Sequence, residues 1–346
     1  MRKKGRKMKL IISPSTDPQF NLALEQYVFD EMDKSEEYFM LWHNNNAIII
    51  GIFQNANNEI KHDVVKEKGI KVVRRLSGGG AVYHDMGNLN FTYITNQKDK
   101  KAAIDFSVFL NPVASALAKL GVAAEVNGRN DITIDGKKFS GNAQYIKQGR
   151  VMHHGTVLFD SDLSVVGACL NVSKEKMAAK GVQSVASRVT NIKDYMDKSI
   201  DMAQFKKALL AAMFEQGELQ EYTLTAQDIE RINRIKEQRY ILDEWNYGKS
   251  PIYNFKRKKR FEGVGSIEVY AELDESTNCL KSITLHGDFF SKSGIDGLLK
   301  ELVGLKLERQ AFVDKFSAIE MSDFITALTL EQWLELFFEQ PAQEPQ

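Results

Sequence analysis

The chain has 346 residues, of which 43% are hydrophobic, and its 46 basic and 46 acidic side chains cancel to a net charge of zero at pH 7. This length accommodates one large domain and a smaller one, and zero net charge provides no general attraction to nucleic acid or to an anionic membrane. No apolar run reaches the length of a membrane span. The two cysteines, Cys169 and Cys279, form neither a zinc spacing nor a disulfide framework, which is typical of the reducing cytoplasm.

The first predicted elements are identified from apolar spacing and turn signals. In chain order they are a strand at 8–12, a helix from the cap pair Asp17-Pro18 to Met32, strands at 38–42 and 47–51 joined as a hairpin by Asn44-Asn45-Asn46, and a short helix at 59–68.

A glycine-rich stretch follows the next predicted strand, at 70–73. It reads Arg74-Arg75-Leu76-Ser77-Gly78-Gly79-Gly80-Ala81-Val82-Tyr83-His84-Asp85. Three successive glycines let the backbone approach a ligand closely and adopt positive φ without strain. Free N–H groups in such a loop can form an anion-binding nest, and the arginines add donors for phosphate or carboxylate. A tight turn with solvated arginines is an equally good interpretation of three glycines alone. The stretch matches neither a Walker loop nor a Gly-x-Gly-x-x-Gly dinucleotide motif.

Two further hairpins are predicted between residues 122 and 159. Asp135-Gly136 and the turn at 147–150 each separate β-rich runs. Strand alternation places Lys138 and Ser140 on one face of their strand, and His154 and Thr156 on one face of theirs. A solvated lysine and a structural histidine are the commoner interpretations of such positions taken singly.

The remaining pattern predicts a long loop, further helices and a second domain. Residues 173–191 begin with a helical piece and continue as a long surface loop, and long loops in compact domains are often lids. Turn formers and a basic run predict a linker at 248–260, with domains at 1–247 and 261–346. The other predicted elements are strands at 88–94, 122–126, 265–273 and 280–285 and helices at 104–120, 163–170, 202–214, 226–237, 295–303, 308–316 and 330–338.

Five short motifs follow one another along the first 191 residues, each occurring once. They are Arg-Arg-x-Ser-Gly-Gly-Gly-Ala-Val-Tyr-His-Asp at 74–85, Gly-Arg-Asn-Asp at 128–131, Lys-Phe-Ser-Gly at 138–141, His-His-Gly-Thr at 153–156, and Ala-Ala-Lys-Gly followed by Ser-Val-Ala-Ser-Arg-Val-Thr-Asn at 178–191. Together they resemble the lipoate–protein ligases. The resemblance implies an α+β fold, with a mixed-sheet biotin/lipoate ligase-like catalytic domain and a small α+β C-terminal domain.

The resemblance also implies a two-step, ATP-dependent reaction. Lipoate and ATP, with Mg²⁺, give lipoyl-AMP and pyrophosphate, and the lipoyl group then passes to the ε-amine of a lysine on an acceptor protein. Both steps build negative charge at a phosphate and at an acyl oxygen, which a fixed cation in a partly desolvated site stabilises. By resemblance, Lys138 is this catalytic cation.

The other site residues are assigned by the same resemblance. Those for ATP or the adenylate are Arg75, Gly80, Ala81, Val82, Tyr83, Asn130, Asp131 and Lys138. Those for lipoate are Arg75, Ser77, Gly78, Gly79, His84, Lys138 and His154. Asp131 is also the candidate Mg²⁺ ligand, and the stretch 173–191 matches the loop that closes over the adenylate and keeps water out.

The implied partners are the lipoyl domains of 2-oxoacid dehydrogenase acyltransferase subunits, the glycine-cleavage H protein, or both. No nucleic-acid or membrane partner is expected, and the expected location is the cytoplasm.

Two alternatives belong to different functional classes. One is an octanoyl or lipoyl acyltransferase that moves the acyl group between carrier proteins without ATP, as some relatives do through a nucleophilic cysteine. Cys169 lies in a predicted helix and Cys279 in the small domain, so neither falls in the glycine loop or the lysine hairpin, and both are expected to be inert. The other alternative is a protein that binds lipoyl domains without activity, against which the intact Arg75, Lys138 and glycine loop argue.

Overall fold

The structure is a computed structural model that describes residues 8–97, 106–127, 130–171, 188–214, 219–248 and 251–339. Its strands are β1 Met8–Ile12, β2 Tyr38–Trp42, β3 Ala47–Ile50, β4 Lys71–Arg74, β5 Val82–His84, β6 Asn88–Asn96, β7 Glu125–Asn127, β8 Asp131–Ile134, β9 Lys137–Lys147, β10 Arg150–Leu158, β11 Leu219–Glu221, β12 Phe255–Phe261, β13 Gly265–Leu273 and β14 Leu280–Gly287. Its α-helices are α1 Pro18–Asp30, α2 Ala56–Glu59, α3 His62–Glu67, α4 Ser107–Lys119, α5 Leu163–Cys169, α6 Met202–Met213, α7 Ala226–Ile235, α8 Asp243–Asn246, α9 Asp296–Leu302, α10 Arg309–Phe316 and α11 Leu330–Phe338.

An eight-stranded mixed sheet forms the centre of the larger domain. Its strand order is β11-β1-β2-β6-β10-β9-β8-β7, in which β1 runs parallel to both neighbours and the other pairs are antiparallel. Alternation along β6 sends Leu89, Phe91 and Tyr93 into a core shared with α4 and α6. The opposite face of the sheet packs on α1 and α7. The predicted α+β fold with a mixed sheet is confirmed.

A smaller sheet carries the glycine-rich stretch. Its order is β4-β3-β5, with β3 parallel to β4 and antiparallel to β5. The prediction of a hairpin between β2 and β3 is wrong, because β2 pairs with β1 and β6 in the main sheet. The connection is held by more distant partners: Asn45 donates its backbone N–H to Thr16, and His43 Nδ1 lies 2.9 Å from the Asn88 carbonyl oxygen. Tertiary contacts therefore direct the two strands to different sheets.

The other two predicted hairpins are confirmed. The turn between β8 and β9 has φ of 50° at Asp135 and 73° at Gly136, and the turn between β9 and β10 has φ of 52° at Gln148 and 78° at Gly149. Two successive residues with positive φ are the requirement of a type I′ turn, whose twist matches that of the flanking strands. These turns place β9, which carries Lys138, between β8 and β10.

The C-terminal unit has its own three-stranded antiparallel sheet and its own core. The sheet order is β12-β13-β14, and α9, α10 and α11 pack on it around Trp333 and Phe312. Strand β12 lies largely within the segment predicted as a linker, 248–260: its ends, Phe255 and Phe261, are buried, and the five basic residues between them are exposed or partly buried in a strand that pairs with β13. We therefore propose that the C-terminal unit begins before Phe255.

Most of the predicted loop at 173–191 lies outside the described residues, as does the predicted start of α4 near Ile104. Of that loop, residues 188–191 are described, and Thr190 donates its backbone N–H to the Lys138 carbonyl at 3.0 Å. Within the described part of the chain, none of the helices combines the length and the hydropathy of a membrane-spanning segment.

Candidate active site

A cleft lies between the main sheet and the small sheet. It encloses a cavity of about 120 Å³. Apolar and polar side chains both contribute to its wall, as expected where an apolar ligand carries a polar end. The lining residues are Leu22, Trp42, Ile49, Arg75, Gly79, Gly80, Ala81, Val82, His84, Asn90, Asn130, Lys138, Gly141, Asn142, Ala143, His154, Gly155 and Thr156.

Arg75 holds the glycine loop together from the inside. Its Nη2 donates to the carbonyl oxygens of Gly78 at 2.7 Å and Gly80 at 2.9 Å, and its Nη1 donates to that of Ile49 at 3.0 Å. Burial lowers the pKa of Arg75 to about 10, so the guanidinium stays charged near pH 7. A planar guanidinium with several fixed donors can hold the carbonyls of Gly78, Gly80 and Ile49 at once, which a lysine could not do in this geometry.

Arg74 has a structural role next to it. Its guanidinium donates to the carbonyl oxygens of Gly51, Ile52 and Gln54 and to those of Trp245 and Asn246. The two adjacent arginines therefore differ: Arg74 ties the turn after β3 to α8, and Arg75 shapes the loop that lines the cleft.

A buried serine, histidine and glutamate form a hydrogen-bond array beside this loop. Ser77 Oγ lies 2.6 Å from His154 Nε2, and His154 Nδ1 lies 3.0 Å from Glu25 Oε1. The array continues through Thr92, whose hydroxyl donates to Glu25 Oε1 at 2.6 Å and accepts from Trp42 Nε1 at 2.9 Å. It links α1, the glycine loop and three strands of the main sheet, β2, β6 and β10.

Lys138 extends into the cleft from β9. Its Nζ lies 2.8 Å from Asp131 Oδ1, and its side chain is 36% exposed. A register shift between β8 and β9 interrupts the alternation at this point, so Lys138 lines the cleft with Gly141 while Ser140 is buried and accepts a hydrogen bond from Asn142 Nδ2. The prediction that Lys138 and Ser140 share a face did not anticipate this bulge.

His84 lines the cleft as a neutral ring. Its Nδ1 accepts a hydrogen bond from Asn44 Nδ2 at 3.1 Å, which places the ring proton on Nε2. Burial, aided by the charge of Arg75, lowers the pKa of His84 to about 3. The side chain is therefore a neutral donor throughout the physiological pH range.

The structure gathers most of the predicted site residues around the cleft. Tyr83 points away from it, because strand alternation on β5 sends its ring into the core of the small sheet and its hydroxyl to Asn46. Ser77, Gly78 and Asp131 contact the cleft-lining residues His154, Gly79 and Lys138 without lining the cleft themselves. The predicted residues that line it are Arg75, Gly79, Gly80, Ala81, Val82, His84, Asn130, Lys138 and His154.

Glu25, Thr92 and Asn142 were not predicted from the sequence. Glu25 is 2% exposed within α1, a helix predicted from the spacing of its apolar residues. A signal for Thr92 was present, since Asn88, Asn90 and Thr92 alternate with apolar residues along β6, which marks a polar face turned inward. Asn142 Oδ1 lies 3.2 Å from His153 Nε2, a contact that no local pattern foretells.

The C-terminal unit contacts the glycine loop directly. The Phe289 carbonyl accepts a hydrogen bond from the Gly79 N–H at 3.3 Å, and the Phe289 ring stacks on Phe53 at 4.7 Å between centroids. The neighbouring Phe290 packs into the core of the larger domain, 5.3 Å from Phe106. The C-terminal unit thus occupies one face of the loop whose other face lines the cleft.

Residues 17–214 match the family model "Lipoyl protein ligase A/B catalytic domain", and residues 250–337 match "Bacterial lipoate protein ligase C-terminus". The lipoate–protein ligase LplJ of Bacillus subtilis is 41% identical over 325 residues, which cover 93% of this chain and 97% of that protein. Among solved structures, an archaeal bipartite lipoate–protein ligase from Thermoplasma acidophilum, solved with its E2 lipoyl domain, aligns with a TM-score of 0.63 and 28% identity over 72% of this chain and all of that one. A lipoate–protein ligase A bound with ATP aligns with a TM-score of 0.60 and 26% identity over 70% of this chain and 99% of that one.

The fold and the cleft are those of an acyl-group ligase with a second, C-terminal domain. On the match of the catalytic region and the identity to full-length relatives, the chain belongs to the lipoyl protein ligase A/B family.

Proposed function

We propose that the cleft holds lipoate and ATP side by side and that Lys138 is the catalytic cation. The chain is an enzyme, an ATP-dependent lipoate–protein ligase. The observation that carries the assignment of roles is the shared cleft, where the Lys138 ammonium and the glycine loop held by Arg75 face one volume. Its apolar wall suits an acyl chain, and its loop suits a phosphate.

The proposed reaction has two steps. In the first step a carboxylate oxygen of lipoate attacks the α-phosphorus of ATP, and the bond to pyrophosphate breaks. In the second step the amine of the acceptor lysine attacks the acyl carbon, the bond to AMP breaks, and the amine loses its proton. Both steps concentrate negative charge on oxygens that Lys138 Nζ can reach, and a fixed ammonium stabilises that charge without reorganisation.

The Mg²⁺ that accompanies ATP has one candidate protein ligand, Asp131. Within the described residues no group of three or more acidic, histidine or cysteine side chains forms a metal site. Mg²⁺ that arrives with ATP needs only one or two carboxylates besides the phosphates. Asp131 fits this role, since its carboxylate lies beside the lysine assigned to the phosphate. When bound, Mg²⁺ would neutralise charge on the leaving pyrophosphate.

The proposed acceptors are lipoyl domains of 2-oxoacid dehydrogenase complexes, the glycine-cleavage H protein, or both, and the proposed location is the cytoplasm. The Thermoplasma ligase solved with an E2 lipoyl domain supports the first class of acceptor. The absence of a disulfide framework supports a reducing compartment.

An acceptor assay tests this function. The full-length protein is mixed with lipoate and an unmodified lipoyl domain, with and without Mg-ATP, and the mass of the domain is recorded. We expect a lipoyl mass gain only with ATP, and none on a control domain whose acceptor lysine is replaced by arginine. Transfer from an acylated H protein without ATP would instead identify an acyltransferase. That chemistry would need a thiolate in the cleft, whereas Cys169 is buried in α5 and burial raises its pKa.

A further inference from the structure

A continuous hydrogen-bond chain connects α1 to the glycine loop. Glu25 holds His154 Nδ1 through both carboxylate oxygens, at 3.0 and 3.2 Å, and His154 Nε2 lies 2.6 Å from Ser77 Oγ. Arg75 Nε donates to the same Ser77 oxygen at 3.0 Å. We propose that Glu25 is a positioning residue for nucleotide binding, because it fixes His154 and Ser77 and thereby the Arg75 fork that shapes the glycine loop. The inference rests on the proposed function, which assigns the nucleotide to Arg75 and to residues 80–83 of this loop.

The chemistry of the side chains assigns the donor and the acceptor of each hydrogen bond from Glu25 to Arg75. A carboxylate only accepts, so the proton between Glu25 and His154 lies on Nδ1. In the neutral ring Nε2 is then an acceptor, and the Ser77 hydroxyl donates to it. The Ser77 oxygen keeps its lone pairs for the N–H of Arg75. The charge of Glu25 thus sets the tautomer of His154 and, through it, the orientation of the Ser77 hydroxyl.

The same chain determines how the loop presents its backbone. Arg75 Nη2 holds the carbonyl oxygens of Gly78 and Gly80. In a trans peptide the C=O and N–H bonds point in opposite directions, so the carbonyl of Gly80 that faces Arg75 turns the N–H of Ala81 away from it. Such N–H groups are the anion donors of a glycine loop. If Arg75 loses its fixed partner at Ser77, the loop loses the geometry of these donors.

The array does not act as a nucleophilic triad, although serine, histidine and a carboxylate are the residue types of one. Ser77 is 1% exposed and does not line the cleft. Its oxygen already accepts from Arg75 Nε, and its proton is held by His154. An acyl group in the cleft therefore has no route to Ser77 Oγ.

The first test is the tautomer of His154 in the full-length wild-type protein. Nitrogen-15 NMR of histidine-labelled protein at pH 7.5, with His154→Gln used to assign the signal, distinguishes the two ring nitrogens. We expect the proton on Nδ1 and an unprotonated Nε2. A proton on Nε2 would overturn the proposal, because the Ser77 hydroxyl would then not be held.

The second test separates the nucleotide from lipoate in the kinetics. Glu25→Gln keeps the size of the side chain and removes the charge that selects the tautomer. Loss of a hydrogen bond to a charged group predicts an increase of about tenfold or more in the KM for ATP in lipoate-dependent ATP–pyrophosphate exchange. The KM for lipoate is expected to rise by a smaller factor than the KM for ATP, since Arg75, Ser77 and His154 are also assigned to lipoate. The reverse pattern, an increase for lipoate alone, would contradict a role at the nucleotide loop. Glu31→Gln, at the exposed end of α1, is the matched control.

A double variant shows whether Glu25 acts through Ser77. The effects of substitutions within one hydrogen-bond network are not additive. The double variant Glu25→Gln/Ser77→Ala is therefore expected to raise the KM for ATP no further than the larger of the two single changes. If the two factors multiply in the double variant, Glu25 does not act through Ser77 and the proposal is refuted.

The experiments distinguish failure of the proposed function from failure of the positioning role. If the wild type shows no ATP–pyrophosphate exchange, the proposed function is wrong, whereas the observed tautomer of His154 is unaffected. Exchange in the wild type with Glu25→Gln behaving like Glu31→Gln would defeat the positioning role alone. If Glu25→Gln does not fold, the proposal is tested by the tautomer of His154 in the wild-type protein alone, and a proton on Nε2 overturns it.

Discussion

The two cations of the cleft are held in opposite ways. Arg75 is buried and its N–H groups are bonded to backbone carbonyls and to Ser77, so it fixes a shape. Lys138 is partly exposed and its ammonium is paired with the carboxylate of Asp131, which is itself partly exposed. Exposed ion pairs contribute little to stability, so Lys138 can exchange Asp131 for a phosphate oxygen at small cost.

Replacement of Lys138 is therefore expected to remove activity and preserve the fold. For Lys138→Ala we expect a decrease of about 10²–10³-fold in lipoate-dependent ATP–pyrophosphate exchange, comparable to loss of an oxyanion donor. Circular dichroism should give an unchanged unfolding midpoint. Lys137→Ala, at the exposed neighbouring position, is the control and should exchange normally. Wild-type turnover in a correctly folded Lys138→Ala would refute the assignment.

Buried His84 makes the stability of the protein depend on pH. Its pKa is about 3 in the folded protein, against an ordinary value of 6.5, because burial disfavours the charged ring. As the pH falls below 6.5, His84 binds a proton in the unfolded chain before it does so in the folded protein. The free energy of unfolding is therefore unaffected by His84 above pH 6.5 and decreases as the pH falls from 6.5 toward 3. The loss is at most about 1.4 kcal/mol per pH unit for one histidine. Urea unfolding at pH 7.5 and 5.5 should show a smaller pH dependence in His84→Gln than in the wild type. Equal dependence would mean that His84 is not the neutral buried group described.

At the scale of secondary structure, close packing of strands shapes the cleft. Gly155 on β10 lies where a Cβ would overlap Asn142 Oδ1 and the Phe91 ring. Gly167 in α5 has no heavy atom within 4 Å of the corresponding position. Packing therefore excludes a side chain at Gly155, whereas it leaves room for one at Gly167.

Opposite effects are expected from alanine at these two positions. Gly155→Ala should destabilise the protein by about 1–3 kcal/mol through overpacking, and it should raise the KM for lipoate because the strand lines the cleft. Gly167→Ala should stabilise it by about 0.5–1 kcal/mol, since glycine in a helix loses more backbone entropy on folding than alanine. Denaturant unfolding measures both free energies. A neutral Gly155→Ala would show that β9 and β10 are less tightly packed at this point.

At the scale of the whole molecule, the adjacent residues Phe289 and Phe290 carry apolar contacts between the C-terminal unit and the larger domain. Phe289 stacks on Phe53, and Phe290 is 1% exposed in the core of the larger domain. Contacts of this kind couple the stability of the two units, although each has its own core. The same segment bonds to Gly79, so its docking reaches the cleft.

Removal of the Phe290 ring should test this coupling. Phe290→Ala is expected to cost about 3–5 kcal/mol of unfolding free energy, as for other buried aromatic rings. It should also increase the radius of gyration measured by small-angle scattering, because the contact between the units weakens. Phe312→Ala, in the core of the C-terminal unit, is the control and should destabilise that unit without separating the two. An unchanged radius in Phe290→Ala would show that other contacts hold the units together.

The sequence by itself determined the elements that depend on neighbouring residues. The Asp17 cap, the type I′ turns at Asp135-Gly136 and Gln148-Gly149, and the paired strands β13 and β14 follow from local backbone preferences. The ordered motifs also identified the family, because glycines, arginines and a lysine at those spacings are specific when they occur together.

Only the tertiary structure decided what depends on residues far apart in the chain. The separation of β2 from β3, the bulge beside Lys138 and the array from Glu25 to Ser77 are produced by contacts that sequence periodicity does not record. Glu25 and His154 are 129 positions apart. A glutamate in an apolar helix gives no local indication of its partner, because the partner is supplied by a strand that folding brings beside it.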